Sequence, residues 1–179
     1  MREERDVRFD ESIGAHVGRS KPVEKAEIEG RVWRMKALEP EPDAFIDTRV
    51  PGFRRVLFGA LGTGTAEEKI TKAVKGAEHF HVDYVKAAPG EGVALHSHDT
   101  EEVFIAMTGR WRISVGTGGE HEIELDTFDG ISVPSGVMRS FTNIGDEEAM
   151  LMAILGGKTP GHVVWSEAVV EKLRRGIAA

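Results

Sequence analysis

Short alternations of apolar and polar residues fill the chain from residue 79 onward. The segment HFHVDYVKA at 79–87 puts aromatic and apolar side chains on one face of a strand and His79, His81 and Asp83 on the other. Seven more such segments follow, separated by glycine-rich turns: VALHSH, EVFIAM, RWRISV, HEIEL, GISVP, MRSFTN and AMLMAIL. Strands at this spacing without helices between them predict an antiparallel β-sandwich or barrel.

The first 78 residues have a different texture, and we predict an N-terminal arm with extra strands and a short helix. Residues 1–30 are charge-dense and poor in aromatics, which favours a loosely docked segment. Apolar alternation predicts strands at Arg31–Ala37 and Phe53–Phe58, while the prolines of EPEPDAF exclude a central strand between them. A Thr-x-x-Glu capping box predicts a helix over Thr65–Lys75.

The C-terminal segment, residues 158–179, is predicted to carry one helix that packs on the barrel formed by residues 79–157. Ser166 can cap a helix over Ser166–Arg175. The apolar residues Val169, Val170 and Leu173 then form a single stripe along it.

Composition narrows the class of protein. The 179 residues suit one domain and carry a net charge of −7 without a basic cluster, which argues against nucleic-acid and anionic-membrane partners. The chain has no cysteine, so any metal must use histidine, carboxylate or water ligands. The start is charged, and the longest apolar run, Ala149–Leu155, is too short to cross a bilayer, so we expect a cytoplasmic protein.

The strongest chemical signal lies in PGEGVALHSHDTEEVFIAMTG at 89–109. His96 and His98 are two apart in a predicted strand and therefore share a face. A turn after His98 can return Glu102 to the same point. Two imidazoles and a carboxylate form a facial ligand set that suits non-haem iron. His96, His98 and Glu102 are therefore the predicted metal ligands.

Other histidines lack this spacing. His79 and His81 also form a His-x-His pair, but no carboxylate follows, which favours a role on the strand face or in the pocket lining. The surroundings of His16, His121 and His162 indicate ordinary surface or loop positions.

The strand pattern and this motif together resemble the cupin superfamily, whose members are enzymes and binding proteins built on a jelly-roll barrel. The first cupin motif is G-x5-H-x-H-x3,4-E-x6-G. Every position of it is filled here, by Gly90, His96, His98, Glu102 and Gly109. The resemblance implies an all-β fold, a cupin-type antiparallel jelly-roll β-barrel, with an N-terminal extension and a short C-terminal helix.

The second cupin motif, G-x5-P-x-G-x2-H-x3-N, is incomplete. Pro134, Gly136 and Asn143 fit, but Phe128 replaces the first glycine and Arg139 replaces the histidine that usually supplies a fourth ligand. A guanidinium has no lone pair to offer a metal. Arg139 could turn outward and leave a three-ligand site, or bind a substrate carboxylate at the pocket rim. It could also occupy the metal's place paired with Glu102, in which case the barrel holds no metal.

The resemblance implies a metal-dependent enzyme that acts on a small, anionic organic molecule in the barrel cavity. A dioxygenase is the leading interpretation, with iron as the first metal and manganese, zinc or nickel as alternatives. Isomerase or lyase chemistry fits the same residues, and so does a binding protein without catalysis, with or without metal. The number of strands, together with the superfamily, also predicts a homodimer.

Overall fold

Eleven β-strands in two antiparallel sheets dominate the part of the chain that the computed structural model describes, residues 21–65, 67 and 70–177. His16 and Glu68 lie outside these residues. The strands are β1 Pro40–Glu41, β2 Val56–Leu61, β3 Phe80–Ala87, β4 Gly92–His98, β5 Glu102–Ala106, β6 Trp111–Val115, β7 His121–Leu125, β8 Gly130–Val133, β9 Arg139–Asn143, β10 Ala149–Gly156 and β11 Val163–Trp165. The α-helices are α1 Lys25–Glu29 and α2 Glu167–Ile177, and 3₁₀ turns occur at Met35–Ala37 and Ile46–Arg49.

The two sheets contain all eleven strands. One has the order β1-β2-β3-β10-β5-β8 and the other β11-β4-β9-β6-β7. Apolar side chains from both sheets form one buried cluster, including Leu57, Val85, Phe104 and Leu151 from the first and Val93, Trp111, Ile113 and Phe141 from the second. The predicted all-β jelly-roll fold is confirmed. The divisions drawn after residues 78 and 157 stay predictions.

Strand β10 shows where apolar alternation alone misleads. Its run AMLMAILG is apolar on both faces, and the sequence favours Met150, Met152 and Ile154 as inward residues. In the structure Leu151, Ala153 and Leu155 are buried between the sheets instead, while Met152 and Ile154 pack in a different cluster. The prediction was wrong by one residue, which moves every side chain of a strand to the opposite face.

That second cluster covers the outer face of β3. Val82 is buried there and Tyr84 half-buried, against Leu38, Ala60 and Val74. The predicted strand at 31–37 is wrong, because these residues include only a 3₁₀ turn. Their tryptophan, Trp33, packs on the cluster. Trp33 therefore helps to cover an apolar sheet face, and residues 31–37 do not pair as a strand.

The predicted helix over Thr65–Lys75 is also wrong for residues 70–75, which are not helical. Val74 forms a parallel bridge with Leu61, and backbone bonds join Val74 N to Ala60 O at 2.9 Å and Gly62 N to Val74 O at 2.7 Å. The backbone of this segment therefore hydrogen-bonds to the sheet edge near β2, which satisfies its polar groups better than a short helix would. Strand β2 itself begins three residues later than the predicted Phe53.

The C-terminal helix forms as predicted. The backbone N–H of Val169 donates to Ser166 Oγ at 3.3 Å. Val169 and Leu173 are buried against Val50 and Ala94, so α2 packs on the outer surface of β4.

Residues 21–32 form a separate compact unit by their internal contacts. Within it the five-residue helix α1 carries an exposed ion pair between Lys25 and Glu29 at 3.4 Å. None of the helices in the described residues has the length and hydropathy that a membrane span requires.

Candidate metal centre

Three buried side chains meet where β4 ends and β5 begins. His96 and His98 are the alternate residues at the end of β4, and Glu102 is the first residue of β5. All three side chains are buried, and one possible ligand atom from each lies within 4.8 Å of the other two. The residues predicted from spacing are therefore brought together, close enough that they could hold a single metal ion.

The ring of His96 is fixed by the backbone. Its Nδ1 lies 2.8 Å from the carbonyl oxygen of Ala94. Since a carbonyl can only accept, Nδ1 carries the proton and the lone pair is on Nε2. A hydrogen bond of this kind from the second ring nitrogen commonly orients metal-binding histidines. Burial, with a further contribution from His98, holds the pKa of His96 well below its usual value, so the ring is neutral.

His98 stands edge-on to His96, with ring centroids 4.9 Å apart and planes at 87°. Its Nε2 lies 3.8 Å from Glu102 Oε2. Burial lowers the pKa of His98, although the nearby Glu102 charge opposes the shift. Two neutral imidazoles thus face Glu102, and the neutral imidazole is the form that binds a metal.

Arg139 is fully buried directly beside this group. It starts β9 and pairs across the strands with His96. Its Nε donates to Glu102 Oε2 at 2.9 Å, and its two terminal nitrogens donate to Val137 O at 2.7 Å and Thr100 O at 3.4 Å. Of the three positions expected for Arg139, the structure has the one in which it pairs with Glu102.

These residues fit a divalent transition metal. Arg139 bonds one carboxylate oxygen of Glu102, which leaves the other oxygen as a ligand. Imidazole nitrogen and carboxylate oxygen are ligands that iron, zinc, nickel and manganese accept. His96, His98 and Glu102 would hold the metal, and Arg139 would stand behind Glu102.

A small cavity between the two sheets opens onto the three ligands. Its volume is about 50 Å³, room for a few waters or one small group, since a single water needs roughly 10–15 Å³. Its walls are mainly apolar and include Val93, Phe141, Leu155 and Trp165. Arg139 is not among the lining residues. The guanidinium of Arg139 is therefore not placed to contact a ligand in this cavity.

Two buried ion pairs border the cavity, and sequence reasoning missed both of them. Arg55 bonds both carboxylate oxygens of Asp47, at 2.8 and 3.0 Å. Lys72 Nζ lies 2.5 and 2.6 Å from the two oxygens of Asp83. Strand alternation puts Asp83 on the same face as His81, but its partner lies on a segment predicted to be a helix. No local pattern marks such long-range pairs.

The second His-x-His pair lies at the start of β3 and is structural. His79 is exposed. His81 is fully buried, and its Nδ1 accepts from the backbone N–H of Thr63 at 2.9 Å. Its Nε2, which then carries the proton, lies 3.2 Å from Gly157 O. Both nitrogens of His81 are thus committed to the backbone, and His81 does not line the cavity.

The remaining candidates lie elsewhere. His121 is exposed, and the exposed His162 pairs with Glu67 at 2.9 Å. Glu101 is exposed and accepts from Ser132 Oγ. The hydroxyl of Tyr84 accepts from Trp33 Nε1 at 3.4 Å on the outer side of β3, outside the cavity.

A family model described as a cupin domain matches residues 83–155, a range that contains all three candidate ligands and Arg139. Protein SchB of Streptomyces halstedii is 30% identical over 111 residues, which cover 56% of this chain and 74% of SchB. This chain belongs to the cupin family. The resemblance inferred from the motifs is confirmed.

Solved cupin-like structures agree with this cupin at the level of the fold. The polyketide cyclase RemF of Streptomyces resistomycificus superposes with a TM-score of 0.55 at 15% identity, covering 74% of this chain and 82% of RemF. A structure reported with the DMSP lyases RdDddP and RnDddQII gives a TM-score of 0.57 at 15% identity, covering 73% of this chain and 63% of that one.

Proposed function

We propose that this cupin is a metal-dependent enzyme that acts on a small, anionic organic molecule. The observation that carries the proposal is the buried convergence of His96, His98 and Glu102, with ligand atoms within 4.8 Å of one another. A buried cluster of two imidazoles and a carboxylate facing a cavity has no evident structural need, because apolar residues would pack there at lower cost.

The chain's own residues bind and orient. His96 and His98 offer neutral nitrogens, and the backbone of Ala94 fixes the His96 ring. Arg139 holds Glu102 and serves as a fixed charge in the site. The apolar walls exclude water from the ligand. A bound metal would supply Lewis acidity or, as iron, the electrons for dioxygen chemistry. Dioxygenase activity with iron is the first form of this proposal.

A second candidate is metal-assisted isomerase, lyase or cyclase chemistry, and the position of Asp83 favours it. This carboxylate lines the same cavity as the three ligands, on the sheet opposite His96 and His98. Lys72 holds both of its oxygens. A carboxylate facing the ligand could accept a proton, which such reactions need. RemF is named as a cyclase, and the other solved structure is reported with lyases. These activities are compatible with this chemistry, but both structures resemble this chain in fold only.

Metal content tests the proposal. Protein purified without added metal, and protein loaded anaerobically with Fe(II), is analysed for bound elements beside a His96→Ala/His98→Ala variant. We expect about one equivalent of a transition metal in the wild type and almost none in the variant. Less than about a tenth of an equivalent in the loaded wild type would instead leave a metal-free binding protein.

Oxygen uptake then separates the two candidates. The iron-loaded protein is mixed with a panel of small carboxylates, diketones and phenols in an oxygen electrode. Uptake that depends on both the compound and His98 supports the dioxygenase. Turnover without uptake, lost in Asp83→Asn, supports isomerase or lyase chemistry.

A homodimer remains part of the proposal. It was predicted partly from a strand at 31–37 that does not form, so its support now comes from the superfamily and from the open edges of the two sheets. Light scattering at micromolar concentration decides it, and a monomer would remove it.

A further inference from the structure

We propose that Arg139 couples metal binding in this cupin to anion binding: the divalent metal and a small oxygen-donor anion enter the cavity together, and each tightens the other. The inference rests on the proposed metal site and adds which ligand that site selects.

The charges of the ligand group sum to zero before a metal enters. Glu102 contributes one negative charge and Arg139, which is permanently protonated, contributes one positive charge at 2.9 Å. An imidazole that binds a metal is neutral, because its ligand nitrogen must offer a lone pair, so His96 and His98 add no charge. A divalent ion bound by these residues therefore brings two charges that the group does not balance.

The neighbouring charges do not offer the missing compensation. The carboxylate of Asp47 is already matched by Arg55, which bonds both of its oxygens. The carboxylate of Asp83 is held on both oxygens by Lys72. Each of these buried acids is thus paired with a buried base of its own, and redirecting it toward a metal would leave that base buried and unpaired, which is strongly unfavourable.

An uncompensated dication in this place is expensive. Arg139 is 0% exposed and Glu102 4% exposed, so water screens their interaction with the metal poorly. A dication bound by Glu102 and the guanidinium of Arg139 therefore repel each other with little screening. An anion bound to the metal from the cavity side offsets this repulsion. The energy that the anion gains from the metal equals the energy that the metal gains from the anion.

The cavity limits which anion can serve. Its walls are mainly apolar and its volume is about 50 Å³, so the anion is a single small group and must shed most of its water. Multiply charged, strongly hydrated anions are disfavoured under these conditions. The fitting class is a singly charged oxygen donor, a carboxylate, enolate or phenolate, on a mainly apolar compound. Arg139 acts through Glu102 and the metal and does not line the cavity.

The test measures Zn²⁺ affinity of the whole chain by calorimetry, with a weakly coordinating salt such as perchlorate setting the ionic strength. The same titration is repeated with millimolar acetate or formate, singly charged oxygen donors that bind Zn²⁺ weakly in water. For the wild type we expect the anion to tighten Zn²⁺ binding about tenfold or more, within the usual range of coupling between two sites. Cobalt absorption spectra, which change when an anion joins the coordination sphere, give a second readout.

Substitution of Arg139 should remove the coupling. In Arg139→Gln the ligand group carries a net negative charge, so Zn²⁺ alone should bind more tightly than in the wild type and acetate should add less than about twofold. Arg139→His offers a second variant if the first fails to fold, with the same expected direction. Arg112→Gln, a half-exposed arginine on β6 outside the cavity, is the matched control and should retain the wild-type coupling.

Two outcomes would overturn the inference. One is a wild-type Zn²⁺ affinity that neither anion changes, and the other is equal coupling in the wild type and both Arg139 variants. Each leaves the proposed metal enzyme intact. A wild type that binds no Zn²⁺ with or without anion fails differently, because it removes the metal site and the proposed function along with it.

Discussion

Two strands of this cupin carry the same His-x-His pattern and use it in opposite ways. On β3, His79 is exposed and His81 gives both ring nitrogens to backbone groups of Thr63 and Gly157. On β4, His96 gives only Nδ1 to the backbone and keeps the lone pair of Nε2 for another partner. The difference lies in what surrounds the rings.

The chain segments that flank each pair determine these surroundings. After β4 a short turn returns Glu102 to the histidines. Before β3 a loop passes over His81 so closely that a Cβ at Gly62 would lie 2.2 Å from its Nδ1. A buried histidine becomes a ligand candidate when one nitrogen stays uncommitted and a carboxylate shares its cavity, and a structural residue when both nitrogens are bonded.

The largest effect should separate the two pairs by metal affinity. We expect His98→Ala to weaken Zn²⁺ binding at least about 100-fold, because loss of a direct ligand exceeds the 10–100-fold effect of losing a supporting hydrogen bond. His79→Ala, the matched change on β3, should leave the affinity unchanged. Calorimetry on both variants checks this. Equal losses in the two would mean that the metal is bound elsewhere.

A smaller effect should appear in stability when His81 is replaced. His81→Phe fills the space but leaves the Thr63 N–H and the Gly157 carbonyl without their partner, so we expect a loss of about 2–4 kcal/mol in the free energy of unfolding. Urea denaturation of metal-free protein measures it. Metal affinity should stay within about threefold, since distant sites act nearly independently. A stability change below about 0.5 kcal/mol would show that His81 is dispensable.

The pH dependence of this difference gives the smallest effect. Burial, aided by the charge of Lys72, lowers the pKa of His81 below 6.5, although the Gly157 hydrogen bond opposes the shift. Below pH 6.5 the unfolded chain therefore binds a proton that the folded chain resists, and the stability contributed by His81 is lost as the pH falls.

The stability difference between wild type and His81→Phe should accordingly narrow as the pH is lowered from 7 toward 5. Because the other histidines are present in both proteins, the difference isolates His81. Urea denaturation at several pH values measures it. A gap that widens on acidification would contradict the neutral, doubly bonded ring.

The candidate ligands could be predicted because their spacing is local. His96, His98 and Glu102 lie within seven residues, and the period of a strand plus one turn fixes their relative positions. The antiparallel fold was predictable for a similar reason, since nearly every strand after residue 79 alternates and ends at a turn. The C-terminal helix also carries its own cap and apolar stripe.

The missed features depend on contacts between distant parts of the chain. Lys72 and Asp83 pair across the space between a loop and β3, and Val74 joins β2 because that edge needed a partner. The local pattern of Thr65–Lys75, the eleven residues that resemble a helix, indicates neither of these contacts. The sequence also did not determine which face of β10 points inward, because a run that is apolar on both faces does not determine its register.

Trp165 gives the candidate metal site an internal optical probe. Its ring centroid lies 5.5 Å from that of His96, and it lines the same cavity. Of the other two tryptophans, Trp111 is buried in the central core and Trp33 packs on the outer cluster. Quenching by a paramagnetic ion falls steeply with distance. Occupancy of the candidate site by a paramagnetic ion can therefore be followed by the fluorescence of Trp165. The variant Trp165→Phe, which keeps the other two tryptophans, is the reference that lacks this signal.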